Sequence, residues 1–339
     1  LNPMAGAIAA GCAVVGKPSE VAPACSAALA RLVPQYLDPR AVALVEGGVE
    51  ETQALLRERW DTIFYTGNGT VGRVIARAAA EHLTPVTLEL GGKSPVIVDH
   101  DADLKVAANR ITWGKFLNAG QTCVAPDHLL VHESRVEELT DRIAKAITTM
   151  YGVDPQASKD YARIVNRRHF DRLTGLMADG STVAFGGDTD PDDNYIAPTI
   201  LAGVRADASV MREEIFGPLL PIIPVADVDA AIARVNAGDK PLALYAFSSS
   251  QATLDHIVDH TSSGGVALNH VVLHLLPPNL PFGGVGESGS GAYHGRSSID
   301  AFSHRKSVLS KPTRMDPPIL YPPFSGIKEW IVRKAMTRF

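Results

Sequence analysis

The sequence predicts an α/β fold with parallel strands, and three observations carry that expectation. Short β-branched runs alternate with Ala- and Leu-rich runs of helical spacing along most of the chain. A Gly-rich turn, "FYTGNGTVGR" (64–73), stands between one such strand and the helix after it. The composition, 45% hydrophobic and 20% charged over 339 residues, supplies ample apolar material for a core and suits roughly two domains. A net charge of −5 with no long block of like charge argues against nucleic acid or an acidic membrane surface as partner.

The expected strands are 12–16, 41–46, 62–65, 85–89, 94–98, 128–132, 182–185, 243–247 and 264–268. The expected helices are 23–36, 50–58, 70–80, 102–117, 134–150, 159–178, 227–237 and 251–261. In the fifth of these helices Ser134 is the expected N-cap, with Glu137 three residues on. Val136, Leu139, Ile143 and Ile147 share one face of it. The opening stretch "LNPMAGAIAAGCAVVG" carries no charge before Lys17. It has no basic segment in front, as a signal peptide requires, and it is too short and Gly-interrupted to span a bilayer. It reads as a start inside a helix-to-strand unit, with further sequence expected upstream. The last stretch, from 310, is Pro-rich and predicts an extended arm. A basic amphipathic helix over 325–339 follows, with Ile327, Trp330, Ile331 and Met336 apolar. Packing on its own protein or on a partner subunit is the first reading of that helix, a membrane-surface contact the second.

Cys12, Cys25 and Cys123 form no Cys-x-x-Cys pair and no metal-ligand spacing with His. A disulfide framework and a metal site are therefore not expected, and a reduced cytoplasmic compartment is.

Five stretches carry candidate chemistry. In "VVGKPSE" (14–20) a strand ends in Lys17, a Pro turn and Glu20, where a carboxylate is able to accept both hydroxyls of a ribose. A solvated loop is the alternative there. In 64–73, Gly67, Gly69 and Gly72 match Gly-x-Gly-x-x-Gly by letter, and the turn offers backbone N–H groups to phosphate through Gly67, Asn68, Gly69, Thr70, Val71 and Gly72. A purely structural turn is the alternative. In "VTLELGGKSPVIV" (86–98), Glu89 ends an otherwise apolar strand. Burial of that acid raises its pKa and suits it to general-base work, unless a Lys or backbone N–H groups meet it at the strand end. In "NAGQTCVAPDH" (118–128), Cys123 lies among small and polar residues that are poor material for a core. That placement suits a nucleophile whose base lies elsewhere in the chain. In "REEIFGPLLPII" (212–223), Glu213, Glu214 and Phe216 fall in a turn broken by Gly217-Pro218, as at a ligand edge. Six glycines in "LPFGGVGESGSGAYHG" (280–295) then predict close backbone approach or a mobile loop.

Together "KPSE", "LELGGKSP", "GQTCVAP", "EEIFGP" and "LPFGGVGESGSG" resemble an aldehyde dehydrogenase, in that order and over residues 1–310. "FYTGNGTVGR", "NAGQTCVAPDH", "AYHGRSSIDAFSHRKSV" and "ILYPPFSGIKEW" resemble its class 3 branch, the fatty and aromatic aldehyde type. The resemblance implies a Rossmann-like NAD(P)-binding domain (1–85, incomplete at its amino end), an α/β catalytic domain (86–305) and a C-terminal arm (306–339). It implies Cys123 as the nucleophile that forms a thiohemiacetal and then a thioester. Glu89 becomes the base for its hydrolysis, and the Cys123 N–H part of an oxyanion hole. Lys17 and Glu20 become holders of the adenosine ribose, residues 67–72 neighbours of the pyrophosphate, and Glu214 a holder of the nicotinamide ribose with Phe216 beside it. Asn269 and the glycines 283–295 become the mouth of the aldehyde channel. NAD is the first expected cofactor because Glu20 repels a 2′-phosphate, with NADP second. A homodimer is the expected assembly.

Departures from the family pattern are visible. The family's Pro-Trp-Asn segment, whose Asn is the second oxyanion donor, has no counterpart in a match that opens at Leu1-Asn2-Pro3. Gly16 stands where a larger apolar residue is usual, and Gly69-Thr70 alter the phosphate turn. Two other readings stay open on the sequence: a catalytically impaired fragment acting only by association, and a cysteine esterase that needs no cofactor.

Overall fold

The computed structural model describes residues 1–337 except 179 and 206. The part of the expected tail helix at 338–339 lies outside the described residues. Backbone contacts divide the chain into two units, Leu1–Ser303 and His304–Phe339.

In chain order the first unit runs α1 (Asn2–Ala9), β1 (Val14–Gly16), α2 (Pro23–Tyr36), β2 (Val42–Leu44), α3 (Val49–Arg57), β3 (Ile63–Thr66), α4 (Gly69–Ala80), β4 (Val86–Glu89) and β5 (Pro95–Val98). It continues with α5 (Leu104–Phe116), β6 (His128–His132), α6 (Val136–Tyr151), α7 (Arg167–Met177), β7 (Thr182–Phe185), β8 (Thr189–Asp190), β9 (Tyr195–Ile196) and β10 (Thr199–Ala202). It closes with α8 (Ser209–Arg212), β11 (Leu219–Val225), α9 (Val228–Asn236), β12 (Ala243–Phe247), α10 (Gln251–His260), β13 (Gly265–Leu268), β14 (Gly289–Ser290) and α11 (Gly295–Ala301). The second unit is Pro-rich and carries α12 (Ile327–Met336), on which Ile327, Trp330 and Met336 are exposed. Among the described residues no helix is long and apolar enough to cross a membrane.

The architecture is α/β. The main sheet has the order β13-β12-β5-β6-β11-β10-β7, parallel except where β7 joins β10. Its central strands β5, β6, β11 and β12 are largely buried on both faces, as in a sheet covered by helices on both sides. Val96, Val98, Leu129, Val131 and Tyr245 belong to one core, while Ile97, Leu130, Leu244 and Ala246 belong to another with residues of α9 and α10. A three-stranded sheet, β14-β4-β3, and the parallel pair β1-β2 complete the set apart from the short β8-β9 hairpin.

Two local expectations are corrected. Residues 159–166 are not helical; α7 starts only at Arg167, because the Asn166 side chain accepts the His169 amide at 2.9 Å and caps it there. Ser134 does not cap α6 either. It lies in a 3-10 turn, with the His132 ring 2.9 Å from its hydroxyl, and α6 begins two residues later. The apolar stripe of α6 stands as read, with Leu139, Ile143 and Ile147 fully buried. Strands β10 and β11 were not anticipated. β11 contains Pro221 and Pro224, which lack the N–H that a central strand normally donates.

The topology positions the site in one respect. β5, β6 and β11 are parallel neighbours, so the residues ahead of them enter the sheet along one edge. Those lead-in segments are 91–94, 121–127 and 213–218; the second holds Cys123 and the third Glu214.

Candidate active site

Cys123 sits on a turn that the chain must bend sharply to make. After α5 ends, Asn118 and Ala119 (both φ 52°) and Gly120 (φ 75°) are all left-handed. A Cβ on Gly120 would stand 2.2 Å from the Gly217 carbonyl oxygen, so the turn and the 213–218 segment are in close contact. Non-glycine residues in this conformation are strained and persist only where their surroundings hold them. Gln121 supplies that hold. Its amide nitrogen donates to the Asn118 carbonyl at 3.0 Å and the Arg163 carbonyl at 2.9 Å, and its oxygen accepts the Val165 amide at 2.9 Å. On the other side of the cysteine, the buried Tyr245 hydroxyl donates to the Val124 carbonyl at 2.6 Å. Cys123 is only partly buried, yet burial pushes its thiol up to about 11, with Glu214 and Glu89 adding to the rise. The backbone amides of Cys123 and Val124 act in the opposite direction.

Glu89 closes β4, between Thr66 of β3 and Gly289 of β14. Its side chain is 3% exposed, and neither carboxylate oxygen has a hydrogen-bond partner. Burial pushes its pKa up to about 8. A Lys or backbone amides at the strand end were the alternative partners for this acid; neither meets it. A buried acid without a partner costs stability, and it is a base waiting for a proton donor. The Tyr293 phenol, pushed up to about 12 by burial, also feels the charges of Glu89 and Cys123. Cys123, Glu89, Glu214 and Tyr293 therefore share one electrostatic neighbourhood. Gly283, Gly284, Gly289 and Gly295 pack closely against backbone: a Cβ on Gly289 (φ 137°) would lie 2.1 Å from the Leu88 carbonyl oxygen, beside the base.

Glu214 is held from behind by groups that sequence reasoning did not single out. Lys93 contacts the Asp127 carboxylate and donates to the carbonyls of Val210 (2.8 Å) and Glu213 (2.9 Å). Asp127 accepts the Ile215 amide at 2.9 Å, and Arg172 donates to the Ile215 carbonyl at 2.7 Å. Burial alone raises the Asp127 carboxyl, but Lys93 holds it well below the usual carboxylate range. Lys115, fully buried on α5, is pushed down to about 8 by burial, while Asp127 and Glu214 draw it back up. The Glu214 carboxyl lies against Gly91, where a Cβ would fall 2.0 Å from its oxygen; burial first, and Asp127 second, push it up to about 7. Phe216 follows with φ 46° and is 37% exposed. A Lys and an Asp each just ahead of an expected strand were the available signal; the missing fact was that the two strands are neighbours. Because Asp127 is buried and anchors Lys93, Asp127→Ala is expected to destabilise the chain by about 3–5 kcal/mol. Urea unfolding checks this, and a loss below about 1 kcal/mol would remove Asp127 from this role.

The remaining candidates are Lys17, Glu20, the turn 67–72 and Asn269. Lys17 donates to the carbonyls of Gly47 (2.9 Å) and Pro18 (3.0 Å) and lies 3.4 Å from Glu20, whose side chain is half exposed. The turn 67–72 is fixed at both ends. The Gly67 amide donates to the Glu89 carbonyl at 3.0 Å, and the Asn68 side chain accepts the Val71 amide at 2.9 Å, capping α4. Asn68 thus satisfies one first-turn amide itself. Gly69 and Thr70 open the helix, where backbone amides favour an anion. Asn269 ties its side chain to the Ser248 backbone at 3.0 and 3.1 Å. Among the described residues no cluster of three His, Cys, Asp or Glu side chains is placed to hold a metal ion.

Two carboxylates, Glu20 and Glu214, and the amides at the start of α4 are groups of the kind that hold the riboses and phosphates of a dinucleotide. The family model described as "Aldehyde dehydrogenase family" matches residues 1–308. The chain is 51% identical to "Aldehyde dehydrogenase family 3 member A2" of Rattus norvegicus, over 97% of this chain and 68% of that protein. It is 52% identical to "Aldehyde dehydrogenase, dimeric NADP-preferring" of the same species, over 92% of this chain and 68% of that one. Among solved structures, "Substrate bound state of Staphylococcus Aureus AldH" superposes with a TM-score of 0.94 at 46% identity, covering 98% of this chain and 73% of that one. A Mycobacterium tuberculosis aldehyde dehydrogenase complexed with NAD+ superposes with a TM-score of 0.83 at 33% identity, covering 91% and 66%.

Proposed function

This chain belongs to the aldehyde dehydrogenase family, and from that premise we propose that it oxidises an aldehyde to a carboxylic acid with Cys123 as nucleophile and Glu89 as base. The observation that carries the assignment is the buried, partnerless Glu89 carboxyl in the same electrostatic neighbourhood as the Cys123 thiol. A thiol pushed up to about 11 is protonated near neutral pH, so it gives up its proton to solvent as it attacks. Glu89, pushed up to about 8, is matched to take the proton of the water that hydrolyses the thioester.

In this reading the Cys123 sulfur bonds to the aldehyde carbon as its proton leaves, giving a thiohemiacetal. The Cys123 amide then donates to the oxygen on which charge develops. Bound NAD(P)+ supplies the hydride acceptor that turns this adduct into a thioester. Glu89 removes a proton from the water that attacks the thioester carbon, and the acid departs as the sulfur is released. Lys17 and Glu20 would hold the adenosine ribose, the amides at 67–72 would lie by the pyrophosphate, and Glu214 and Phe216 would flank the nicotinamide ribose. Residues 1–85 serve the cofactor, 86–305 carry the reacting groups, and 306–339 form an arm. A relative named as dimeric supports a homodimer, and relatives named for NADP and seen with NAD+ support use of either cofactor. Mixing the purified chain with an aliphatic or aromatic aldehyde and NAD+ or NADP+ should generate reduced nicotinamide. Ester cleavage without that signal from any aldehyde would sink the proposal in favour of a cofactor-independent esterase.

A pH effect on stability follows from the same acid. Folding favours protonated Glu89, so the folded chain binds more protons than the unfolded one between the usual carboxylate range and about pH 8. The associated stability is fully present below that window and is lost as pH rises through it. Glu89→Gln does not titrate, so it should gain on the wild type by a few kcal/mol between pH 5 and pH 9. Denaturant unfolding at both pH values reads the difference; a constant difference would mean that Glu89 is solvated or paired.

A further inference from the structure

We propose that Arg163 positions the nucleophile from outside the site: it fastens residues 161–165 to the β8–β9 hairpin, and that stretch, through Gln121, holds the turn that carries Cys123. The inference rests on the reading of Cys123 as the reacting group.

The arrangement has three layers. The innermost is the turn, where Asn118 and Ala119 are left-handed without being glycine, a conformation that relaxes unless its surroundings hold it. Gln121 takes its hold from the second layer, donating to the Arg163 carbonyl and accepting the Val165 amide, both at 2.9 Å. Residues 161–164 belong to no helix or strand, so their place depends on what they touch. The hairpin is the third layer. The Tyr161 hydroxyl donates to the Ile196 carbonyl at 2.9 Å, and the Ile164 amide donates to the Asn194 carbonyl at 3.0 Å.

Arg163 makes most of the tie between the second and third layers. Its Nε donates to the Asp193 carboxylate at 2.7 Å, and its two terminal nitrogens donate to the carbonyls of Gln156 (2.6 Å) and Tyr161 (3.3 Å). The guanidinium also lies 5.1 Å from the centre of the Tyr195 ring. Asp193 is itself placed. The Asp190 carboxylate accepts the amides of Asp192 (3.0 Å) and Asp193 (3.4 Å), closing the hairpin turn. The Gln156 side chain donates to both Asp190 (2.8 Å) and Asp193 (3.1 Å). An isolated surface ion pair contributes little. This one is 30% and 43% exposed at its two ends and sits in a network that uses the fixed donor directions of a guanidinium. None of these groups touches Cys123, so Arg163 is a positioning residue. Without it, Gln121 loses the fixed partners of two of its bonds and the turn relaxes. The thiol, which partial burial keeps protonated near neutral pH, then gains solvent.

The test reads the thiol itself. The full chain and its Arg163→Met variant are treated with iodoacetamide, and mass spectrometry follows each cysteine separately. Cys123 should react about three- to tenfold faster in the variant, because thiol reactivity follows exposure and ionisation. Cys12, whose sulfur is engaged with the Phe302 carbonyl, reports the general state of the fold and should keep its rate. Asp193→Asn, a milder change on the hairpin, should move Cys123 in the same direction. Gln121→Met should do so too, and adding Arg163→Met to it should change nothing further, because the two act along one path. With aldehyde and NAD+ at saturation, Arg163→Met should lower kcat by about 10- to 100-fold and leave the KM for NAD+ within about twofold. Equal acceleration at Cys12 and Cys123 would mean general loosening and overturn the proposal. So would an unchanged Cys123 rate, additive effects of the two substitutions, or a raised KM with kcat intact. A wild type whose Cys123 responds as expected but which reduces NAD+ with no aldehyde keeps the clamp and removes the reading of Cys123 as nucleophile.

Discussion

Replacing Cys123 by alanine is expected to lower aldehyde-dependent NAD(P)H formation by roughly 10⁴- to 10⁶-fold, the scale seen when a nucleophile is removed. The change deletes one partly buried sulfur from a turn whose shape is set by Gln121 and Tyr245, so the fold should survive it. Circular dichroism and a thermal melt confirm that the variant is folded; absorbance of the reduced cofactor reads the loss. Neither other cysteine offers a substitute. The Cys12 sulfur is engaged with the Phe302 carbonyl at 3.4 Å, and Cys25 is exposed on α2. A folded variant that keeps more than about one part in a hundred of its rate would move the nucleophile away from Cys123.

The second large effect belongs to Glu89→Gln, and its signature is a change in the shape of the time course. The amide keeps the size of the side chain and cannot accept the proton of the attacking water. Steady-state turnover should fall by about 10²- to 10⁴-fold. A rapid-mixing experiment should still show close to one equivalent of reduced cofactor per site, because hydride transfer precedes hydrolysis. The acyl group should then remain on Cys123, detectable as added mass on the intact chain. Turnover at the wild-type rate would take Glu89 out of the mechanism. A missing first turnover together with a slow steady state would make Glu89 responsible for activating the thiol instead. Wild-type turnover should rise with pH as Glu89 loses its proton near pH 8.

Much of this site is legible in the order of residues alone. Composition around Cys123 marks it as poorly suited to a core, and Glu89 stands out because an acid in an apolar strand has few uses. The positions of Lys17 beside Glu20, and of 67–72 between a strand and a helix, also follow from local pattern. The supporting parts are not legible there, for definite reasons. The pairing of Lys93 with Asp127 depends on β5 and β6 being adjacent, which no local spacing encodes. Gln121 reads as one more polar loop residue until 163–165 is seen to cross behind it, in a stretch expected to be helix. β11 is hidden by Pro221 and Pro224, and with it the edge that delivers Glu214. Tyr245 looks like ordinary strand filler, although its hydroxyl holds the carbonyl next to the nucleophile.

The three-stranded sheet has a consequence in time. Gly289, which flanks Glu89 in the ladder, follows it by 200 residues. At ordinary rates of chain synthesis that separation is roughly 10–40 s. During this interval β4 has β3 beside it but no β14, and the Leu90 amide lacks the Ser288 carbonyl to which it donates at 3.1 Å. The nucleophile emerges well before the last neighbour of its base, so a nascent chain carries its thiol for a long stretch of synthesis without the finished pocket around Glu89.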